Sequence, residues 1–251
     1  MDCPDIVSVS RRECIQQTWN LALDQVHIWH IPFNECFIDA KILSPDEILR
    51  AEEYKFEIHK NRFMMYRCAL RQILSFYYDK SPQELMFGYT EYGKPYVLAG
   101  SPQLQFNLSH SDEMAVLGLA KSSFIGVDVE YIKPFNEMQS IAKQFFAEAE
   151  FCKFISIPEK DKLEAFYNIW TRKEAFVKAV GEGLSYPLDK FTVSFCENEP
   201  PMIIEIDNAE TEAMEWTLKS FNLETKSKSY KIACLVKNKA CDVYRYVLGV
   251  D

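Results

Sequence analysis

Two acids spaced two residues apart are the first groups in this chain whose pattern could do chemistry. FIGVDVE (124–130) alternates, so as a strand it sends Phe124, Gly126, Asp128 and Glu130 to one face and Ile125, Val127 and Val129 to the other. The acid pair reads either as a solvated strand face or as hard oxygen donors for Mg²⁺, an ion that also takes phosphate oxygens and water. A second group lies in FYNIWTRKEAFVKAVGEGLSYPL (166–188). At ~100° per residue, Leu163, Phe166, Ile169, Trp170, Phe176, Val177 and Val180 share one arc of a helix. Lys173 lands inside that arc, Glu174 at its edge and Lys178 one turn beyond Glu174. Burying a lone charge is costly, so these groups need ions or polar partners. Glu174 is a candidate third carboxylate, and three acids close together repel one another without a cation.

Weaker candidates surround these two. EYGKPYV offers backbone N–H groups near Gly93, a cation at Lys94 and the stiffener Pro95, and reads as a turn or as an anion contact. FNLSHS ends a strand with Ser109 and His110 at a turn. Adjacent side chains diverge, so this pair suits hydrogen bonding to phosphate better than a nucleophile with its base; a plain turn is the other reading. Arg62 opens a helix whose free N–H groups favour an anion, Arg67 and Arg71 follow on it, and Arg50 lies on the helix before. Of Gly181 and Gly183, helix capping explains one; the second suggests close backbone approach to a ligand or partner.

The elements that must carry these residues are α+β. The first ~25 residues read as irregular. VHIWHIPF is a strand, on which His27 and His30 face opposite sides and make poor co-ligands. Ser44, Pro45 and Glu47 supply an N-cap, N1 and N3 for a helix. A longer helix runs from about Asn61 to Tyr78, with Phe63, Tyr66, Leu70, Ile73 and Tyr77 at spacings of three and four. LQFNLSHS and MAVLGLAKS are strands joined by a polar turn. After the break at Lys121-Ser122-Ser123 come FIGVDVE, a helix around Ile141–Phe154, the charged helix, and strands at FTVSF, MIIEI, WTLKSFNL and YKIACLVK. The shared order suggests two similar, pseudo-duplicated α+β halves, 1–121 and 122–251, and clefts between such halves are common ligand sites.

Composition excludes several classes. The 251 residues are 48% hydrophobic and 26% charged, which is globular rather than disordered. No apolar run reaches the ~20 residues that span a bilayer, and the start of the chain lacks a signal-peptide core, so no membrane and a cytoplasmic location are expected. A net charge of −9 argues against nucleic acid. The eight cysteines (3, 14, 36, 68, 152, 196, 234 and 241) form no CxxC pair and read as reduced, mostly buried thiols.

Four segments together resemble the Sfp-type 4′-phosphopantetheinyl transferases: GKPYV (93–97), FNLSHS (106–111), IGVDVE (125–130) and WTRKEAFVKAVGEGL (170–184), in family order and spacing. The resemblance implies a two-half fold with the active site at the interface of the halves. It implies an enzyme that moves phosphopantetheine from coenzyme A to a serine of an apo acyl, peptidyl or polyketide carrier protein, leaving adenosine 3′,5′-bisphosphate. Asp128, Glu130 and Glu174 would bind Mg²⁺. Lys94, with Gly93 and Pro95, and Ser109, His110, Lys173 and Lys178 would contact the coenzyme A phosphates, and Arg62 and Arg50 would lie near its 3′-phosphate and adenine. Catalysis would rest on Asp128, Lys178 and Glu174, the last also the candidate base. The carrier would be acidic near its serine, and lysines, arginines and exposed apolar residues around Phe135–Phe154 are candidates to meet it. A monomer is expected. The alternative is a non-catalytic coenzyme A or carrier-protein binder of the same fold.

Overall fold

The computed structural model describes residues 5–16, 19–35, 38–98, 103–196, 199–207 and 210–249. Two compact units emerge. One comprises Met1–Thr90, Pro95–Ser122 and Asp242–Asp251; the other comprises Glu91–Lys94 and Ser123–Cys241. Each builds a long helix onto an antiparallel hairpin.

The first unit contains β1 (Ile6–Ser10), α1 (Arg11–Gln16), β2 (Gln25–Pro32), α2 (Pro45–Glu52), α3 (Glu57–Tyr78), β3 (Phe87–Tyr89), β4 (Pro95–Val97), β5 (Leu104–Ser111) and β6 (Met114–Lys121). The 122–251 half contributes β7 (Ile125–Tyr131), α4 (Met138–Phe145), α5 (Glu148–Ser156), α6 (Glu159–Val180), β8 (Phe191–Val193), β9 (Ile203–Ile206), α7 (Glu210–Ala213), β10 (Thr217–Glu224), β11 (Ser229–Val236) and β12 (Asp242–Gly249).

The sheet of the first unit runs β1-β12-β2-β6-β5. β12 lies parallel to both β1 and β2, so the strand at residues 242–249, which the sequence reading kept with the second half, closes the sheet of the first unit. Its partners are remote and parallel, so no hairpin signal announces it. The N-terminal segment is likewise corrected: it forms β1 and α1 rather than irregular chain. α3 packs Met65, Tyr66, Leu70, Ile73 and Leu74 with Trp29, Phe106 and Leu117 of the sheet. α2 starts with a full capping box: the Ser44 hydroxyl accepts the Glu47 N–H and the Glu47 carboxylate accepts the Ser44 N–H at 2.9 Å. The same buried carboxylate takes Arg71 Nε at 2.6 Å and pairs with Arg67.

The second unit holds the sheet β10-β11-β7 and the separate hairpin β8-β9. α6 crosses β7 at Gly126. A Cβ built on Gly126 would sit 2.0 Å from the Ala175 carbonyl oxygen and 2.4 Å from the Ala179 nitrogen. Only a residue without a side chain lets helix backbone lie directly on strand backbone here. Gly181 ends α6 in the left-handed region (φ 85°) and donates its N–H to Val177 O. The single helix expected around Ile141–Phe154 is two helices. Phe146 is extended, its ring packed on Phe154 and Phe166, and Glu150 caps the restart by accepting the Ala147 N–H at 2.8 Å.

His27 and His30 are buried in β2, bonded to Tyr77 and Arg245 respectively. Cys14, Cys68 and Cys234 are buried, Cys196 and Cys241 half-buried and Cys152 exposed; Cys3 and Cys36 lie outside the described residues.

Candidate active site

Lys178 is the centre of the charged group in the second unit. Strand alternation points Asp128 from β7 toward α6, two residues beyond the Gly126 contact, and helical phase brings Lys178 to the same place. Lys178 Nζ donates to Asp128 Oδ1 at 2.5 Å. The carboxylate is buried, while the lysine side chain keeps 29% of its exposure. Burial lowers the Lys178 pKa, but the charges of Asp128, Glu174 and Glu130 more than offset it and raise the ammonium above the ordinary lysine value. Glu174, half-buried one turn earlier, has its pKa raised by burial; Lys178 pulls it down and Asp128 pushes it up. Lys178 therefore feels Asp128, Glu174 and Glu130, and Glu174 feels Lys178 and Asp128.

Among the described residues no three His, Cys, Asp or Glu side chains close into a metal-binding group. The charge balance nevertheless fits a divalent ion. One ammonium faces three carboxylates, and the donors are the hard oxygens that Mg²⁺ takes.

Two lysines expected at the phosphates make close contacts within the second unit. Lys173 is wholly buried. Its ammonium pairs with Glu150 Oε2 at 2.8 Å and donates to Leu188 O and Phe191 O at 2.7 and 2.5 Å. Three donors meet three acceptors, over the ring of Phe191, so nothing remains to reach a ligand. Lys94 donates to Ile125 O, Lys178 O and Ala179 O at 2.9, 2.7 and 3.1 Å, and burial lowers its pKa to about 8.

Beside it, Gly93 is exposed in the left-handed region (φ 81°) and Pro95 opens β4. Gly183 is also left-handed (φ 61°) with open space where a Cβ would project. Backbone conformation alone calls for glycine at that position. Of the apolar residues between Phe135 and Phe154, Phe146 and Phe154 are buried in the core of the second unit, while Phe135, Met138, Ile141 and Phe151 are half-buried against it.

In the first unit, Ser109 and His110 sit inside β5 rather than at its end; the turn falls at Asp112, which is left-handed (φ 52°). Ser109 is buried, and the exposed His110 stacks its ring on Tyr66 at 5.3 Å and 16°. Arg62, one turn before Tyr66 on α3, pairs with Asp112 Oδ1 at 3.1 Å. Arg62 and His110 are thus brought to the same β5–β6 turn. Arg50 is exposed with its guanidinium 5.6 Å above the Phe63 ring. Sequence reasoning missed Tyr66, Asp112 and Glu150; of these only Glu150 had a local signal, an acid at the third position of a helix.

A two-half α+β chain that gathers three acids and a lysine on one helix–strand contact belongs with proteins that handle phosphates. Residues 124–235 match the 4′-phosphopantetheinyl transferase superfamily, and residues 27–122 match the model described as 4′-phosphopantetheinyl transferase, N-terminal. The chain is 36% identical over 199 residues to the 4′-phosphopantetheinyl transferase HetI of Nostoc sp., covering 74% of this chain and 84% of that one. It is 31% identical over 160 residues to the 4′-phosphopantetheinyl transferase Sfp of Bacillus subtilis, covering 64% and 69%. This protein belongs to the 4′-phosphopantetheinyl transferase family.

Proposed function

We infer that this protein transfers 4′-phosphopantetheine from coenzyme A to a serine of an apo carrier protein. The observation that carries the reading is the Lys178–Asp128 ion pair, 2.5 Å across the α6–β7 contact, with Glu174 one turn earlier on the same helix. A protein that only bound coenzyme A would gain nothing from three acids beside a polyphosphate, which is why the binder alternative is not favoured.

The serine oxygen attacks the β-phosphorus of coenzyme A, the bond from that phosphorus to the bridging oxygen breaks, and adenosine 3′,5′-bisphosphate leaves. Glu174, directly or through a water, is the base that accepts the serine proton. Lys178, fixed by helix and ion pair, offers a preorganised cation to the charge building on the leaving phosphate. Asp128, Glu130 and Glu174 would hold Mg²⁺, which supplies charge neutralisation of the diphosphate when bound. Arg62 and His110 at the β5–β6 turn, with Ser109 behind them and Arg50 on α2, would contact the phosphates and adenine of coenzyme A. The chain acts as a cytoplasmic monomer; no helix among the described residues is long and apolar enough to cross a membrane.

The test is to mix the protein with coenzyme A, Mg²⁺ and several apo carrier proteins and weigh the carriers. A gain of one phosphopantetheine supports transfer. Coenzyme A binding without any gain across the carriers favours the binder.

A further inference from the structure

We propose that Lys94 is a positioning residue: its ammonium clamps the last turn of α6 to the first residue of β7 and so sets Glu174 and Lys178 against Asp128. This deepens the reading above and rests on the roles given there to those three residues.

Three observations converge on the clamp. First, the three acceptors come from the two elements that carry the charged group: Lys178 O and Ala179 O from the end of α6, and Ile125 O from the start of β7. The last carbonyls of a helix have no partner within it, and a cation there is also favoured by the helix dipole. Second, the contact that the clamp closes is backbone on backbone at Gly126, whose missing Cβ faces Ala175 and Ala179. Glycine permits the close approach but does not fix it, and an ammonium shared between both elements does. Third, the lysine stem lies alongside the helix end: its Cδ is at van der Waals distance, 3.4 Å, from where a Cβ of Gly181 would be. Asp128 lies three residues along β7 from the Ile125 acceptor, and Lys178 supplies one of the carbonyls. A shift at the clamp passes directly into the 2.5 Å Asp128–Lys178 pair.

Geometry separates this role from phosphate binding. A phosphate contact tolerates arginine, which serves anions well. A seat of three carbonyls converging on one point suits an ammonium and not a planar fork.

The experiment compares wild type with Lys94→Met and Lys94→Arg. For both variants kcat is expected to fall by about tenfold or more, as misplacement of reacting groups does, while calorimetric coenzyme A affinity stays at the wild-type value. Amide hydrogen exchange of the variants is expected to quicken over residues 176–181 and 125–128. Weakened coenzyme A binding in Lys94→Met that Lys94→Arg restores would overturn the clamp in favour of a phosphate contact. Wild-type kcat in both variants would overturn it too. Should Lys94→Met not fold, Lys94→Arg carries the same comparison. If the wild-type protein modifies no carrier, the functional reading fails by itself, and hydrogen exchange still decides the clamp: unchanged exchange over the two segments rejects it.

Discussion

In the first unit, Glu47 in the first turn of α2 caps its own helix and receives Arg71 from the long helix that follows. In the second, Glu150 in the first turn of α5 bonds the N–H that opens its own helix and receives Lys173 from the long helix that follows. Both long helices have 22 residues. Aligning α3 on α6 through these pairs sets Gln72 against Glu174 and Phe76 against Lys178. One unit keeps an amide and an aromatic ring where the other carries an acid and a cation. The buried cation–carboxylate pair is therefore scaffold common to both halves, and the residues beside it are where the halves part. That is an independent reason to read Lys173 as structural: its counterpart Arg71 does the same work in a unit that lacks the charged group.

The comparison can be broken most sharply at Asp128. Asp128→Ala should cut carrier modification by on the order of 100-fold or more, because Lys178 loses its fixed partner and the proposed Mg²⁺ would lose a donor. The mass of the carrier after timed incubation reads this, with circular dichroism confirming the fold. Near-normal turnover would remove Asp128 from the site.

The scaffold half of the comparison is tested by Lys173→Met and Arg71→Met. Stranding Glu150 as a buried unpaired charge should cost about 3–5 kcal/mol. Arg71→Met should cost less, since Arg67 still pairs with Glu47. Urea unfolding measures both, and coenzyme A affinity should be unchanged in each. A Lys173 variant that is stable yet binds coenzyme A poorly would undo the equivalence.

Gly126→Ala should destabilise by about 1–3 kcal/mol, as overpacking does, and lower turnover by pushing β7 off α6. Thermal melts and kinetics on the same preparation should show both losses together.

The smallest effect has the opposite sign. The Glu174 pKa is raised in the folded chain, so the folded state holds that proton more tightly than the unfolded one. Its contribution is full below the unfolded carboxylate pKa and is lost as pH rises through the folded one. At neutral pH Glu174→Gln should therefore stabilise slightly, by less than about 1 kcal/mol, while abolishing the base. In wild type, turnover should fall as pH drops and the Glu174 carboxylate is protonated. Denaturant melts of the variant and a pH–rate profile of the wild type check the two halves of this statement.

Much of the site was legible because it depends on two local periods. The period of two in FIGVDVE put Gly126, Asp128 and Glu130 on one face, and the helical period put Glu174 and Lys178 within a turn of each other. Capping chemistry likewise announced α2 at Ser44 and the end of α6 at Gly181. β12 was illegible for a different reason: its parallel neighbours lie at the other end of the chain, and a short alternating tail does not say what it pairs with.

What the sequence by itself determined is which side chains share a face of one strand or one helix, since backbone geometry fixes that within a few residues. Only the tertiary structure decided which lysines face the acids and which are consumed elsewhere. Lys94, Lys173 and Lys178 look alike in sequence. The first is held by Ile125, Lys178 and Ala179 carbonyls, the second by Glu150 and the Leu188 and Phe191 carbonyls, and the third by Asp128 among the other acids. An ammonium bonds to whatever acceptors converge on it in space, and that convergence comes from chain folding rather than from spacing.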